Sequence, residues 1–243
     1  MDFSKDLFKL YQDLIEKIYN DKDLYVEDEL NVWPSRIGKD YNNELMIVGR
    51  AGNGGKIYID KNEDKYRDSS IIETKEQLID GLQWVIDLWG NNEFNIKYST
   101  KYNTKKSAFW RLSKRLSNKL TSDNNDSAIH KIVYSNLYKV SKESGGNPST
   151  RLMNVQFDIC RSILIKEIEL FKPQIIVFLT GWSFAQLFLS DLKTKVIEDG
   201  FQYVESVGKV DNSLIVVSKH PQGKPEDKQF EEILSAIYTY LIN

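Results

Sequence analysis

Residues 172–180 read Lys172-Pro173-Gln174-Ile175-Ile176-Val177-Phe178-Leu179-Thr180. Pro173 disfavours helix in the residue before it, which closes the helical pattern running from about Val155 to Phe171. The apolar run that follows is rich in Ile and Val and lacks polar alternation, as strands buried on both faces of a parallel sheet do. Three further runs share this character: Leu45–Val48, Lys131–Ser135 and Leu214–Ser218. Between them lie segments long enough for crossover helices. Apolar residues at helical spacing predict helices over the first twenty residues (Leu7, Leu10, Tyr11, Leu14, Ile15, Ile18), over Thr74–Trp89 with Gly90 ending it, and over Ser107–Leu120. A closing helix is expected over Gln229–Ile242. The fold class that follows is α/β: a three-layer α/β/α sandwich around a central four-stranded, mainly parallel sheet. Residues 1–243 are expected to form a single domain with an N-terminal helical extension.

Composition fits this reading. Hydrophobic residues make up 41% of the 243 and charged residues 28%, which excludes a disordered or membrane-embedded chain. No run approaches a membrane span, and the first helix alternates charge with apolar residues unlike a signal peptide, so the expected location is the cytoplasm. Cys160 is the only cysteine, so no internal disulfide is possible. Without a Cys/His cluster no structural metal, metal cluster or other cofactor is expected. The net charge of −2 gives no global attraction for a polyanion. Locally, Lys97, Lys101, Lys105, Lys106, Arg111, Lys114, Arg115 and Lys119 follow one another without an intervening acid. Such a stretch suits a phosphate backbone, and a solvated helix face has the same composition.

In open α/β sheets, ligands bind beyond the carboxyl ends of the strands, where adjacent loops part. The four runs lead into Gly49-Arg50-Ala51-Gly52-Asn53-Gly54-Gly55, Asn136-Leu137-Tyr138-Lys139, Gly181-Trp182-Ser183 and Lys219-His220-Pro221-Gln222-Gly223. The glycine-rich loop allows backbone N–H groups to approach a ligand, yet it is neither a Walker loop nor a dinucleotide fingerprint. Asn136 is either a turn residue or a ligand group. His220 is one of two histidines, and the proline after it presents the imidazole on a rigid turn, although a surface histidine would look the same.

Taken in this order, the glycine-rich end, Ser135-Asn136-Leu137-Tyr138-Lys139, Lys172-Pro173-Gln174-Ile175-Ile176-Val177 and Val217-Ser218-Lys219-His220-Pro221 resemble the successive motifs of the uracil-DNA glycosylase superfamily. The resemblance spans roughly residues 44 to 225. It implies a protein that flips a nucleotide out of DNA, single- or double-stranded, at a cost of about a few kcal/mol, and reads the base in a pocket. Asn136 then corresponds to the asparagine that reads the pyrimidine edge, and His220 to the histidine beside O2 of the departing base. Gly49, Arg50, Ala51, Gly52 and Asn53 correspond to the loop flanking base and water. Cys160 stands where relatives carrying an iron–sulfur cluster have one ligand, but the other ligands are missing.

Two departures bear on activity. The loop holds no carboxylate where relatives have an acid or amide; Asp60, Glu63 or Asp64 would have to reach back, or His220 and electrostatics would have to suffice. It also lacks the aromatic that shields the C5 position, so a 5-modified pyrimidine, such as one in invading phage DNA, is admitted beside uracil. Tyr58 and Tyr66 are the stacking candidates. Lys139, Lys219 and Lys224, with Arg111, Lys114 and Arg115, are the candidates for holding DNA phosphates. The leading expectation is a monomeric DNA base glycosylase for repair or defence. The alternatives are a non-catalytic nucleic-acid or base-binding member of the fold and an unrelated nucleotide-binding α/β enzyme.

Overall fold

A computed structural model describes residues 5–22, 24, 30–52, 58–59, 81–98, 100–121, 126–142, 144–190, 193–196 and 200–241. The chain divides into two compact units, each assembled from three segments: residues 1–36, 49–80 and 135–172 in the first, and residues 37–48, 81–134 and 173–243 in the second.

The larger sheet comprises β2 (Arg36–Ile37), β3 (Leu45–Ala51), β5 (Ile132–Tyr138), β7 (Ile175–Phe178), β8 (Lys193–Val196), β9 (Val204–Val210) and β10 (Ser213–Ser218). Its strand order is β2-β5-β3-β7-β10-β9-β8. Strands β3, β7 and β10 run parallel, with Leu45 and Leu214 both in register with Ile175. Beyond them β9 is antiparallel to β10 and to β8. Among the described residues the expected four-stranded, mainly parallel sheet is therefore a seven-stranded mixed one, although the four expected strands are all present. The extra strands escape a search for apolar runs because β9 reads Val-Glu-Ser-Val-Gly-Lys-Val, with polar residues among the apolar ones.

In the second unit, alternation along the strands sends Leu45, Ile47, Ile175, Val177, Leu214 and Val216 to one face. There they meet Val85 of α2 (Gln83–Asp87), Leu112 and Leu116 of α3 (Ala108–Leu120), and Ile233 and Ile237 of α6 (Glu226–Leu241). Met46, Val48, Ile176, Phe178, Ile215 and Val217 alternate to the other face and are equally buried. Each such side chain contributes roughly 1.5–3 kcal/mol, so burial on both faces accounts for the unbroken apolar runs. The short helix α5 (Trp182–Phe188) lies beside β10, with Ala185 and Phe188 inside. Ser107 caps α3 by accepting from the Trp110 amide, at the boundary its sequence predicts.

In the first unit, α1 (Lys5–Asn20) packs along α4 (Thr150–Phe171) through a stripe of Leu7, Tyr11, Leu14, Ile15 and Ile18. Helix α4 begins earlier than the expected Val155, because Ser149 Oγ caps it by accepting from the Leu152 amide. It stops at Lys172, whose φ of 46° is left-handed, just before Pro173. A second sheet, β4 (Tyr58–Ile59), β1 (Leu30–Val32) and β6 (Val140–Lys142), is antiparallel, with Leu30 opposite Ile59 and Val32 opposite Val140. Of the helix expected over Thr74–Trp89, α2 is the described part; residues 60–80 lie outside the described residues.

Candidate functional site

Strand β3 carries Gly49, Arg50 and Ala51 as its last three residues, Gly49 buried and the other two half-buried. Gly52 follows. A Cβ on Gly52 would lie 2.0 Å from Cδ1 and 2.2 Å from Nε1 of Trp33, so the indole rests directly on the glycine and no larger residue fits. The Gly52 carbonyl accepts from Ser141 Oγ at 2.7 Å, which ties the loop to β6. The Arg36 guanidinium stands 5.5 Å from the Trp33 ring centroid. Asn53 and Tyr66 lie outside the described residues, as do Asp60, Glu63 and Asp64; Tyr58 is described only as a backbone, opposite Asn31.

Asn136 sits within β5 rather than after it, because the strand continues to Tyr138, and the side chain is buried. Alternation turns it to the face opposite Ser135 and Leu137. Ser135 belongs to a wholly enclosed polar cluster. Lys139 Nζ donates to both Glu167 carboxylate oxygens at 3.0 Å and to Ser135 Oγ. The Ser135 hydroxyl donates to Glu167 Oε2 at 2.6 Å and the Tyr11 hydroxyl to Oε1 at 2.9 Å. Burial, followed by the Glu167 charge, pushes the Tyr11 phenol well above its ordinary pKa, so it remains a donor. Lys139, expected among the phosphate-binding lysines, is thus fully buried and committed to Glu167. Cys160 is buried too, its thiol pushed up to about 12 chiefly by burial, which leaves it protonated and unreactive.

The second unit holds His220. Strand β10 ends at Ser218, and Lys219 and His220, both half-buried, lead into a turn closed by Lys224 N–H donating to the Pro221 carbonyl at 3.0 Å. Gly223 takes φ 71° at the third position of that turn, where a left-handed conformation is needed. The Gln222 amide donates to His220 Nδ1 at 3.3 Å. With Nδ1 engaged as an acceptor, the ring proton of the neutral imidazole resides on Nε2. Helix α6 supports this turn: Gln229 Nε2 donates to Ser218 Oγ at 2.9 Å and to the Lys219 carbonyl at 2.6 Å. Lys224 is exposed.

Within the basic run, Arg111, Lys114 and Arg115 make contacts inside the protein. Arg111 Nε donates to Glu226 Oε2 at 2.8 Å while its Nη1 reaches the Lys105 and Lys106 carbonyls. Arg115 Nη1 pairs with Asp227 Oδ1 at 2.8 Å, and Lys114 Nζ stands 4.3 Å from the Trp89 ring centroid. The Arg111 and Arg115 ion pairs fasten the first turn of α6 to α3, and Lys114 lies against Trp89. Among the described residues no group of three His, Cys, Asp or Glu side chains is placed to hold a metal ion, and no described helix is long and apolar enough to cross a membrane.

The family model described as the Uracil DNA glycosylase superfamily matches residues 97–238, more than half of the chain. The chain belongs to the uracil DNA glycosylase superfamily. No curated protein matches it. The superfamily match takes in β5 with Asn136, β7, β10 and the His220-Pro221 turn; the Gly49–Gly52 loop precedes it. Membership supports a glycosylase-like function. It removes the unrelated nucleotide-binding enzyme from consideration.

Three features of this superfamily member lie outside its sequence motifs. Trp33 is far in sequence from the loop it covers. Gln229 is a polar residue at a core-facing position of α6. Glu167 carries a readable signal: it interrupts the apolar stripe of Leu164, Ile168 and Phe171 on α4, and a carboxylate on a buried helix face requires a cationic partner.

Proposed function

We propose that this protein hydrolyses the N-glycosidic bond of a flipped-out uracil or 5-modified pyrimidine in DNA. The observation that carries the reading is the Gln222 N–H donating to His220 Nδ1. It leaves a neutral imidazole whose Nε2–H is a donor on a turn that follows the central parallel strands. As the bond between C1′ and the base nitrogen breaks, its electron pair moves into the base and charge gathers on O2. A donor already aimed there strengthens in the transition state and so lowers the barrier. The oxocarbenium-like sugar is captured by water, which then releases its proton, leaving an abasic site and the free base.

Asn136 is assigned to recognition: its carboxamide accepts from N3–H and donates to O4 of uracil. Its burial within a strand supports a fixed orientation. The loop Gly49-Arg50-Ala51-Gly52 contributes backbone donors and no aromatic of its own, which supports room for a substituent at C5, and Trp33 packed on Gly52 supplies the neighbouring aromatic surface. Lys219 and Lys224, on either side of the His220 turn, are assigned to phosphates.

The test is release of base from oligonucleotides containing uracil, 5-hydroxymethyluracil or a deaminated purine, read as alkaline cleavage at abasic sites. His220→Ala and Asn136→Ala are each expected to slow release by about 100-fold or more, as loss of a transition-state donor does. Release undiminished by both substitutions refutes the assignment. One observation favours a second reading, a non-catalytic binder: Gly49–Gly52 contains no carboxylate to orient water. Retained DNA binding with no base released from any substrate would establish that reading instead.

A further inference from the structure

We infer that Gln229 is a positioning residue for His220, acting through the backbone of Lys219; the inference rests on the catalytic role assigned to His220 above. Gln229 is completely buried on α6, nine residues beyond the histidine. Its Nε2 donates at once to the Ser218 hydroxyl and to the carbonyl of Lys219, the residue bonded to His220. The amide has one workable orientation, because the Lys219 carbonyl can only accept and a turned amide would set two oxygens against each other.

The same helix holds the neighbouring segment. Glu232, three residues on, accepts from the backbone amides of Gln202, Tyr203 and Val204. The Tyr203 carbonyl in turn accepts from Ser218 Oγ and from the Lys219 amide, both at 2.9 Å. Both polar groups of the Lys219 backbone are therefore fixed, the amide through Tyr203 and Glu232 and the carbonyl by Gln229. The imidazole is held from its other side by the Gln222 amide on Nδ1. A carbonyl fixed at this point sets the direction from which the His220 side chain leaves the chain. Errors of even 1 Å in the placement of a reacting group can cost on the order of 100-fold in rate. Arg111 and Arg115, by gripping Glu226 and Asp227, keep the first turn of this helix in place for the task.

The experiment is a double-mutant cycle of Gln229→Leu with His220→Ala, read by single-turnover base release and by DNA affinity. Gln229→Leu is expected to slow release by about tenfold or more while DNA affinity changes less than about twofold, and to add less than about twofold in the His220→Ala background. Equal losses in both backgrounds, or no loss from Gln229→Leu, overturn the inference. Should Gln229→Leu fail to fold, Gln229→Asn, which shortens the reach of the amide, is carried through the same cycle.

A second readout does not require activity. The chain has two histidines, so nitrogen-15 spectra distinguish the His220 ring directly. Wild type is expected to show His220 as the Nε2–H tautomer, and the Gln229 variant a mixture of tautomers. An unchanged His220 spectrum overturns the inference even if the wild-type protein releases no base. Absence of base release together with the expected spectral change refutes the glycosylase reading alone.

Discussion

Replacing Lys139 with methionine isolates the energetics of the enclosed cluster on β5 and α4. The substitution keeps most of the side-chain volume and removes one charge, leaving the Glu167 carboxylate buried with only the Tyr11 and Ser135 hydroxyls as donors. An exposed lysine–carboxylate pair is worth roughly 0.2–1 kcal/mol, but breaking a buried one costs about 3–5 kcal/mol, because the stranded charge has no water to turn to. Both side chains are completely buried, so the larger figure applies. For a chain of this size each kcal/mol moves the midpoint by roughly 2–4 °C, which puts the loss at about 6–20 °C. Urea unfolding followed by tryptophan fluorescence measures it. The double variant Lys139→Met with Glu167→Leu is expected to be more stable than Lys139→Met alone, since no unpaired charge remains. A cost below about 1 kcal/mol for the single variant, or a double variant less stable than it, would refute the reasoning.

Gly52→Ala is expected to displace Trp33, whose Cδ1 lies where the methyl group would go, and to weaken binding of base-containing DNA about tenfold with a shift in Trp33 fluorescence; unchanged fluorescence and affinity contradict this. Arg111→Ala is expected to lower stability by about 1 kcal/mol by freeing the start of α6, and to leave the salt dependence of DNA binding as it was, because its guanidinium serves Glu226 rather than phosphate. Cys160 is expected to resist iodoacetamide at pH 8 in the native protein and to react once the chain is unfolded in urea. His130 is buried, and its Nδ1 has no hydrogen-bond partner among the described residues. Burial first, then Lys39, holds its pKa below the ordinary value, against the opposing pull of Asp40 and Asp87. The unfolded chain therefore takes up a proton that the folded one resists, so stability is complete above about pH 6.5 and declines as pH falls from there towards the folded pKa. His130→Asn should lessen that decline in urea titrations at pH 7.5 and 5; an identical decline in both proteins excludes His130 as its source.

What could be read from the chain alone follows physical lines. The central strands declared themselves because residues such as Ile175–Leu179 are buried on both faces and so carry no polar interruption. Strand β9 did not, since Glu205 and Lys209 alternate with its apolar residues, and the two- and three-residue strands are too short for any period. Helix α4 gave its body through its apolar stripe, but its start depended on a hydroxyl cap at Ser149. The His220-Pro221 turn stood out through a rigid residue pair. Gln229, which holds it, looked like one polar position among many at the head of a helix. Lys139 follows a strand, where lysines usually meet water; only its approach to Glu167, 28 residues away in sequence, reveals the pair. The basic run from Lys97 to Lys119 contained no acids, yet the acids that neutralise Arg111 and Arg115 arrive more than a hundred residues later.

Because the two units draw on interleaved segments, synthesis completes their sets of parts in a fixed order. The last residue needed by the unit containing Asn136 is Lys172, whereas the one containing His220 needs the chain as far as α6. A ribosome that has not yet translated the histidine has already supplied everything the asparagine's surroundings require. Cutting the gene at any single point between codons 37 and 172 would leave neither half with a complete set of parts.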